Sequence, residues 1–173
     1  MKKFGVIIVL LGLLTGCGAQ ETLETVADVP VQPVSAPMQQ ILLELPEEVA
    51  TPVMESPEHG KLYVCDGYTL SVQTLAAGDL SKSLHTVTGF SKERLQVMET
   101  QQKDTKRYES VWAAAGDPQM QLGRVCILDD GNYHYVLTAM ANADRAGQLQ
   151  ETWNTLFSSF RLTDGDVNIN IGS

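Results

Sequence analysis

Lys61-Leu62-Tyr63-Val64-Cys65-Asp66-Gly67-Tyr68-Thr69-Leu70-Ser71-Val72 is the stretch that decides the fold. Two runs rich in Leu, Tyr, Val and Thr flank an Asp-Gly pair. That arrangement is a strong short-range hairpin signal, with φ > 0 expected at both turn residues. The signal returns downstream, where residues 122–128 meet Asp129-Asp130-Gly131-Asn132 and then residues 133–140. With Asp130-Gly131 as a two-residue turn, Leu128 opposes Tyr133, Ile127 opposes His134, Cys126 opposes Tyr135 and Arg124 opposes Leu137. Cys126 then shares a face with Tyr133, Tyr135 and Leu137.

Two further turns lie between these hairpins. Gln102-Lys103-Asp104-Thr105 separates strands at 95–100 and 106–115, and Gly116-Asp117-Pro118-Gln119 separates the second of these from residues 120–128. Short strands at even spacing predict an antiparallel meander. Helical patterns are two. Asp79 is placed to cap residues 80–88, with Leu80, Leu84 and Val87 on one face, Gly89 suited to the left-handed stop, and Phe90 packing back on Leu84. Ala146, Leu149, Trp153, Leu156, Phe157 and Phe160 then follow helical spacing, with Arg145, Gln148, Glu151, Asn154 and Ser158 opposite. The expected class is α+β: an antiparallel β-sheet of meander plus hairpin, packed with two helices. Gln40-Ile41-Leu42-Leu43-Glu44-Leu45 is apolar enough for a first, edge strand that Pro46 stops.

The start of the chain reads differently. Lys2 and Lys3 precede an apolar run over residues 4–14, which ends at Leu14-Thr15-Gly16-Cys17. A basic start, a short apolar run and a small-residue cleavage site are the parts of an export signal. Leu-Thr-Gly-Cys resembles the lipobox of bacterial lipoproteins, which implies a diacylglycerol on the Cys17 sulfur and cleavage before it. An ordinary signal peptide with an incidental Cys is the alternative. Lipid attachment would make the membrane the first partner, because two or three acyl chains anchor stably. The expected location is the extracytoplasmic face of a bacterial cell membrane.

The 173 residues carry 12 bases and 21 acids, a net −9. Removing residues 1–16 takes Lys2 and Lys3 and leaves −11. Residues 18–58 hold eight acids and no base, and six of the seven prolines lie between Pro30 and Pro57. An acidic segment stands off from anionic lipid, and residues 18–38, without a sustained period, are expected to form no core. The expected organisation is signal peptide 1–16, acidic tether 17–38, one domain 39–163 and a tail 164–173. A basic stripe for nucleic acid is lacking.

Chemical motifs are sparse. There is no Gly-x-Ser-x-Gly elbow, phosphate loop or His-Glu-x-x-His, so no catalytic residue, metal or cofactor is expected. His59, His85 and His134 lack metal-ligand spacing and read as surface or packing residues. Asp129-Asp130-Gly131-Asn132 serves either a turn or, less simply, a calcium ion. Cys65 and Cys126 form either a disulfide in an exported chain or two buried thiols. Tyr63, Tyr68, Trp112, Tyr133 and Tyr135, with Tyr108, are either core beneath a helix or an exposed binding patch. Lys92, Arg94, Lys103, Lys106 and Arg107 surround one hairpin and read as a solvated face rather than an anion site.

The strand Tyr135-Val136-Leu137-Thr138-Ala139-Met140, followed by a helix ending Trp153…Phe157-Ser158-Ser159-Phe160-Arg161, resembles the end of PsbP-like domains. Those domains finish on a strand, a helix and a short Ser-Phe-Arg segment. The resemblance implies an antiparallel sheet between helices and a protein-binding or accessory role. The chain is also similar to small lipoproteins of Gram-positive bacteria. Two functions stay open: a lipid-anchored interaction module with an envelope protein partner, or a lipid-anchored small-ligand binder serving a transporter. A deep apolar pocket would favour the second.

Overall fold

The structure is a computed structural model that describes residues 36–47, 49, 51–57, 60–115 and 119–163. The expectations for the signal peptide, Cys17, most of the tether, His59 and the tail lie outside the described residues. By contacts the chain divides into Met1–Pro33 and Val34–Ser173, and everything described belongs to the second unit.

Among the described residues, nine strands and three helices follow in the order β1 (Ile41–Leu42), β2 (Met54–Ser56), β3 (Gly60–Cys65), β4 (Tyr68–Ala76), α1 (Leu80–Thr88), a 3-10 turn at Lys92–Arg94, β5 (Met98–Gln102), β6 (Thr105–Ala114), β7 (Gln121–Asp129), β8 (Tyr133–Asn142), α2 (Ala143–Ala146), α3 (Gln150–Ser159) and β9 (Arg161–Leu162). Seven strands form one antiparallel sheet in the order β2-β3-β4-β8-β7-β6-β5, while β1 and β9 pair separately. The fold is α+β, as the turns and periods predict. The segment read as an edge strand pairs with β9 and not with the main sheet.

Both faces of the sheet are covered at its centre. One carries Tyr68, Leu70, Cys126, Leu128, Tyr135, Leu137 and Ala139 and packs against Trp153, Leu156, Phe157 and Phe160 from α3 and its end. The other carries Tyr108, Trp112, Val125, Ile127 and Val136 and packs against Leu84 of α1. The central strands β7 and β8 are therefore buried on both faces. Val125–Leu128 and Tyr135–Leu137 are accordingly continuous apolar runs and not alternating ones. Full burial of a Leu or Phe contributes about 1.5–3 kcal/mol, so α3 is a principal source of cohesion.

The ends of α1 are as predicted. Asp79 accepts the Ser81 amide at 2.9 Å, and Gly89 takes φ 75° while its N–H donates to His85 O. Phe90 packs in the same cluster as Leu84. The Asp66-Gly67 turn also forms, with Cys65 opposite Tyr68, but only Gly67 has positive φ, at 81°.

The second hairpin differs. Leu128 opposes Tyr135, Cys126 opposes Leu137, Arg124 opposes Ala139 and Asp129 opposes His134, a shift of two residues from the predicted register. The cause is Asp130, whose Oδ1 accepts the Asn132 and Tyr133 amides at 2.8 and 2.7 Å. The tight turn therefore centres on Gly131-Asn132, with φ 86° at Gly131. A two-residue shift keeps each side chain on its face, so Cys126 still lies with Tyr135 and Leu137.

Other differences are local. The final helical pattern breaks at residues 147–149, so α2 and α3 are separate. Residues 95–97, read as the start of a strand, follow the 3-10 turn, and β5 begins at Met98. The short strand β2 has no alternation long enough to announce it.

Candidate functional site

The five aromatics proposed as a patch are not one surface. Tyr63, Tyr68, Trp112 and Tyr135 are buried and Tyr133 is half-buried. Trp112 lies on the α1 face, and the tyrosines pack in the cluster under α3. They are core because the two helices close over them. Trp112 is fixed by Gly123: a Cβ there would come within 2.3 Å of the indole ring, so only glycine lets the ring lie on the strand.

A Ser-His-Asp grouping appears that the sequence reading missed. His134 Nδ1 lies 2.7 Å from Ser83 Oγ, and its Nε2 lies 3.6 Å from Asp129 Oδ2. His134 is 1% exposed and Ser83 8%, so a substrate has no approach to the hydroxyl. The Asp129 distance exceeds a hydrogen bond. The grouping joins α1 to the tip of β7 and β8 and works as a packed polar contact. It was hidden because Ser83 lies 51 residues from His134, and the register placed His134 opposite Ile127.

On the other face, Arg107 corrects its reading as part of a solvated basic face. Its Nε donates to Glu109 Oε1 at 2.6 Å, Nη1 to Phe160 O at 3.0 Å and Nη2 to Phe157 O at 2.5 Å. Arg124 donates to Glu109 Oε2 at 3.0 Å and to Asn154 Oδ1 at 2.9 Å, with its guanidinium 4.4 Å from the centre of the Phe157 ring. Burial pushes the Glu109 carboxyl upward, but the bonds from Arg107 and Arg124 outweigh it and hold it below its ordinary value. This network clamps the end of α3 to β6 and β7.

A second clasp holds the segment that enters the domain. Tyr133 Oη donates to Ala36 O at 2.9 Å, and the Gln39 amide donates to Tyr135 Oη at 2.8 Å. Tyr135 Oη in turn donates to Asp130 Oδ2 at 3.0 Å, and burial foremost pushes its phenol up to about 12. Asp129 Oδ1 accepts the Gly131 amide at 2.8 Å. The carboxylates read as calcium candidates are thus occupied by the turn, and no group of three His, Cys, Asp or Glu gathers for a metal among the described residues.

Cys65 and Cys126 are not bridged. Two strands, β4 and β8, separate β3 from β7, so three interstrand spacings put the two about 14 Å apart across the sheet. Cys65 is also in register with Leu122, four residues from Cys126 along β7. A disulfide needs Cα atoms within about 7 Å. Burial pushes the Cys126 thiol up to about 12.

What faces outward lies beside α1. Cross-strand rows Met54-Leu62-Ser71-Thr138-Val125 and Val64-Thr69-Met140-Gly123 share the α1 face of the sheet. Burial falls along them from β7 to β2, where Met54 is 52% and Val64 62% exposed. α1 covers the β6–β8 side and leaves the β2–β4 side open. At its end an open cleft of about 350 Å³ is lined by Val64, Thr69, Met140, Gln121 and Asn142, among others. Among the described residues, no helix is long and apolar enough to cross a membrane.

The architecture is that of an antiparallel sheet between helices, and solved structures of this kind are known. The chain is similar to the crystal structure of LpqN, involved in cell envelope biogenesis, of Mycobacterium tuberculosis, with TM-score 0.50 and 12% identity over 75% of this chain and 87% of that one. It is also similar to the solution structure of cyanobacterial PsbP from Synechocystis sp. PCC 6803, with TM-score 0.47 and 12% identity over 75% of this chain and 96% of that one. At such identity the likeness to LpqN is one of fold alone. No protein-family model matches the chain, and no curated protein matches it in sequence.

Proposed function

We propose that this protein is a lipid-anchored, extracytoplasmic accessory module of the bacterial cell envelope that acts by binding a protein partner and not by catalysis. The observation that carries the reading is the open β2–β4 side of the α1 face. There Met54 and Val64 stand exposed beside Thr69, while the aromatics and the Ser83–His134–Asp129 grouping are used in packing. An exposed apolar sheet face rimmed by hydroxyl and amide groups suits association with another protein. Leu14-Thr15-Gly16-Cys17 supports the anchor, and LpqN, similar in fold, is described as involved in cell envelope biogenesis.

The test is site-specific photocrosslinking on intact cells. A photoreactive residue at Val64 is expected to give a discrete adduct that the same residue at Thr155, exposed on α3, does not. Identical patterns from both positions would remove the surface from consideration. For the anchor, Cys17→Ser is expected to abolish labelling by radioactive fatty acid, and equal labelling of both chains would refute lipidation.

A further inference from the structure

The described bases are unevenly used. Lys61 meets Glu55, Lys106 meets Glu99, Arg107 and Arg124 share Glu109, and Arg145 meets Asp66. Lys82, Lys92, Arg94 and Arg161 form no ion pair with a carboxylate among the described residues. Lys82 and Lys92 both line one cleft.

That cleft lies between α1 and the 3-10 turn. It is open to solvent, measures about 430 Å³ and is lined by Ser81, Lys82, His85, Thr86, Ser91, Lys92 and Glu93. Local structure explains its form. Ser81 and His85, and Lys82 and Thr86, are four apart on α1 and so are neighbours on its surface. Gly89, in the left-handed conformation, ends the helix, and the Phe90 amide donates to Thr88 Oγ1 at 3.1 Å. The chain doubles back, bringing the 3-10 turn alongside. Arg94, next to the lining residues, stacks over Phe90 at 5.2 Å and adds positive charge nearby.

We propose that this cleft binds the phosphate group of a phosphate ester. The lining residues carry two ammonium groups, an imidazole, three hydroxyls and one carboxylate. Such a set of donors fits an anion with several acceptor oxygens, and lysine binds phosphate as a point charge. Glu93 opposes the anion and holds the affinity low. The site needs no lipid at Cys17, so it stands independently of the proposed function. The ester is either a phospholipid headgroup or a soluble phosphate ester.

The experiment uses the full chain, isotope-labelled and followed by amide NMR. Inorganic phosphate, but not chloride at equal ionic strength, is expected to give saturating shifts at Ser81, Lys82, His85, Thr86, Ser91, Lys92 and Glu93. Lys82→Gln with Lys92→Gln is expected to weaken binding at least about tenfold, with circular dichroism confirming an unchanged fold, and Glu93→Gln to tighten it. Flotation with phosphatidylglycerol against phosphatidylcholine vesicles separates the sources. Lysine-dependent preference for the anionic vesicles assigns a headgroup, and phosphate saturation without that preference assigns a soluble ester. Shifts equal to those from chloride, or binding untouched by the double substitution, overturn the proposal.

Discussion

The Arg107 guanidinium donates to the carbonyl oxygen of Phe157 at 2.5 Å. A second bond reaches Phe160 O at 3.0 Å, so one side chain of β6 satisfies carbonyls at the end of α3 that have no partner within the helix. Its charge also meets the negative end of the helix dipole.

Arg107→Met is accordingly expected to cost about 3 kcal/mol, since it strips both carbonyls and leaves Glu109 with one partner. Arg107→Lys is expected to recover less than half, because a single ammonium cannot hold two carbonyls and a carboxylate in one planar fork. Urea denaturation measures both. A lysine variant as stable as the parent would show that charge alone, and not the fork, holds α3.

Glu109 gives the same network a pH dependence. Its carboxyl is held below its ordinary value of 4.5, so its contribution is present above that value and lost as pH falls through the depressed one. Glu109→Gln is expected to cost about 2–3 kcal/mol at pH 7. That is less than the 3–5 of a fully buried pair, because the side chains keep 10% to 21% exposure. The gap between parent and variant should narrow below pH 4. An equal gap at pH 3 and pH 7 would contradict the assignment.

This clamp marks where sequence reading stops. Asp79, Gly89 and the Asp66-Gly67 turn were legible because each is a local solution to a local backbone problem. The sharing of one face by Cys126, Tyr135 and Leu137 was legible from the period-two alternation of the strands. Arg107, Glu109 and Arg124 were not, since their partners on α3 lie up to 53 residues away and a base beside a turn looks solvated whether or not a helix lies over it. The register of the second hairpin failed for a similar reason: Asp-Asp-Gly-Asn admits two turn centres, and the choice rests on what Asp130 caps. Ser83 carried no signal at all, being one small polar residue in a helix.

The cysteines follow from the strand order. Denatured without reductant, the chain is expected to expose both Cys65 and Cys126 to alkylation, as read by peptide mapping. In the folded chain at pH 8, Cys126 should stay unmodified, because burial pushes its thiol up to about 12 and excludes the reagent. A peptide joining the two cysteines would mean that β3 and β7 are not separated as described.

Trp153 and Gln148 test the cohesion of the layer under α3. Trp153 is 8% exposed and packs edge-on to Tyr68, with ring centres 6.5 Å apart, while Gln148 is exposed. Trp153→Ala is expected to cost about 3–5 kcal/mol, at least about 2 kcal/mol more than Gln148→Ala. Coincident denaturation midpoints would show that α3 contributes little to the core.

Asp130 joins the second hairpin to the entering segment. Its Oδ2 accepts from Tyr135 Oη at 3.0 Å and from Gln39 Nε2 at 3.2 Å, while Oδ1 caps the turn. Burial, with Asp130 adding to it, keeps Tyr135 protonated up to about 12. A tyrosine held neutral in the fold but ionising near 10 when unfolded contributes stability that is full below pH 10 and lost as pH rises towards 12. Asp130→Asn removes the negative charge but keeps a carbonyl for the turn amides. Tyr135 should then ionise at lower pH, still above 10 because burial remains, and the alkaline loss of stability should begin earlier. Ultraviolet titration of the phenolate, with Tyr135→Phe to assign the signal, measures this. If Tyr135 ionises at the same pH in parent and variant, the hydroxyl does not lie against Asp130, and the clasp on Gln39 fails with it.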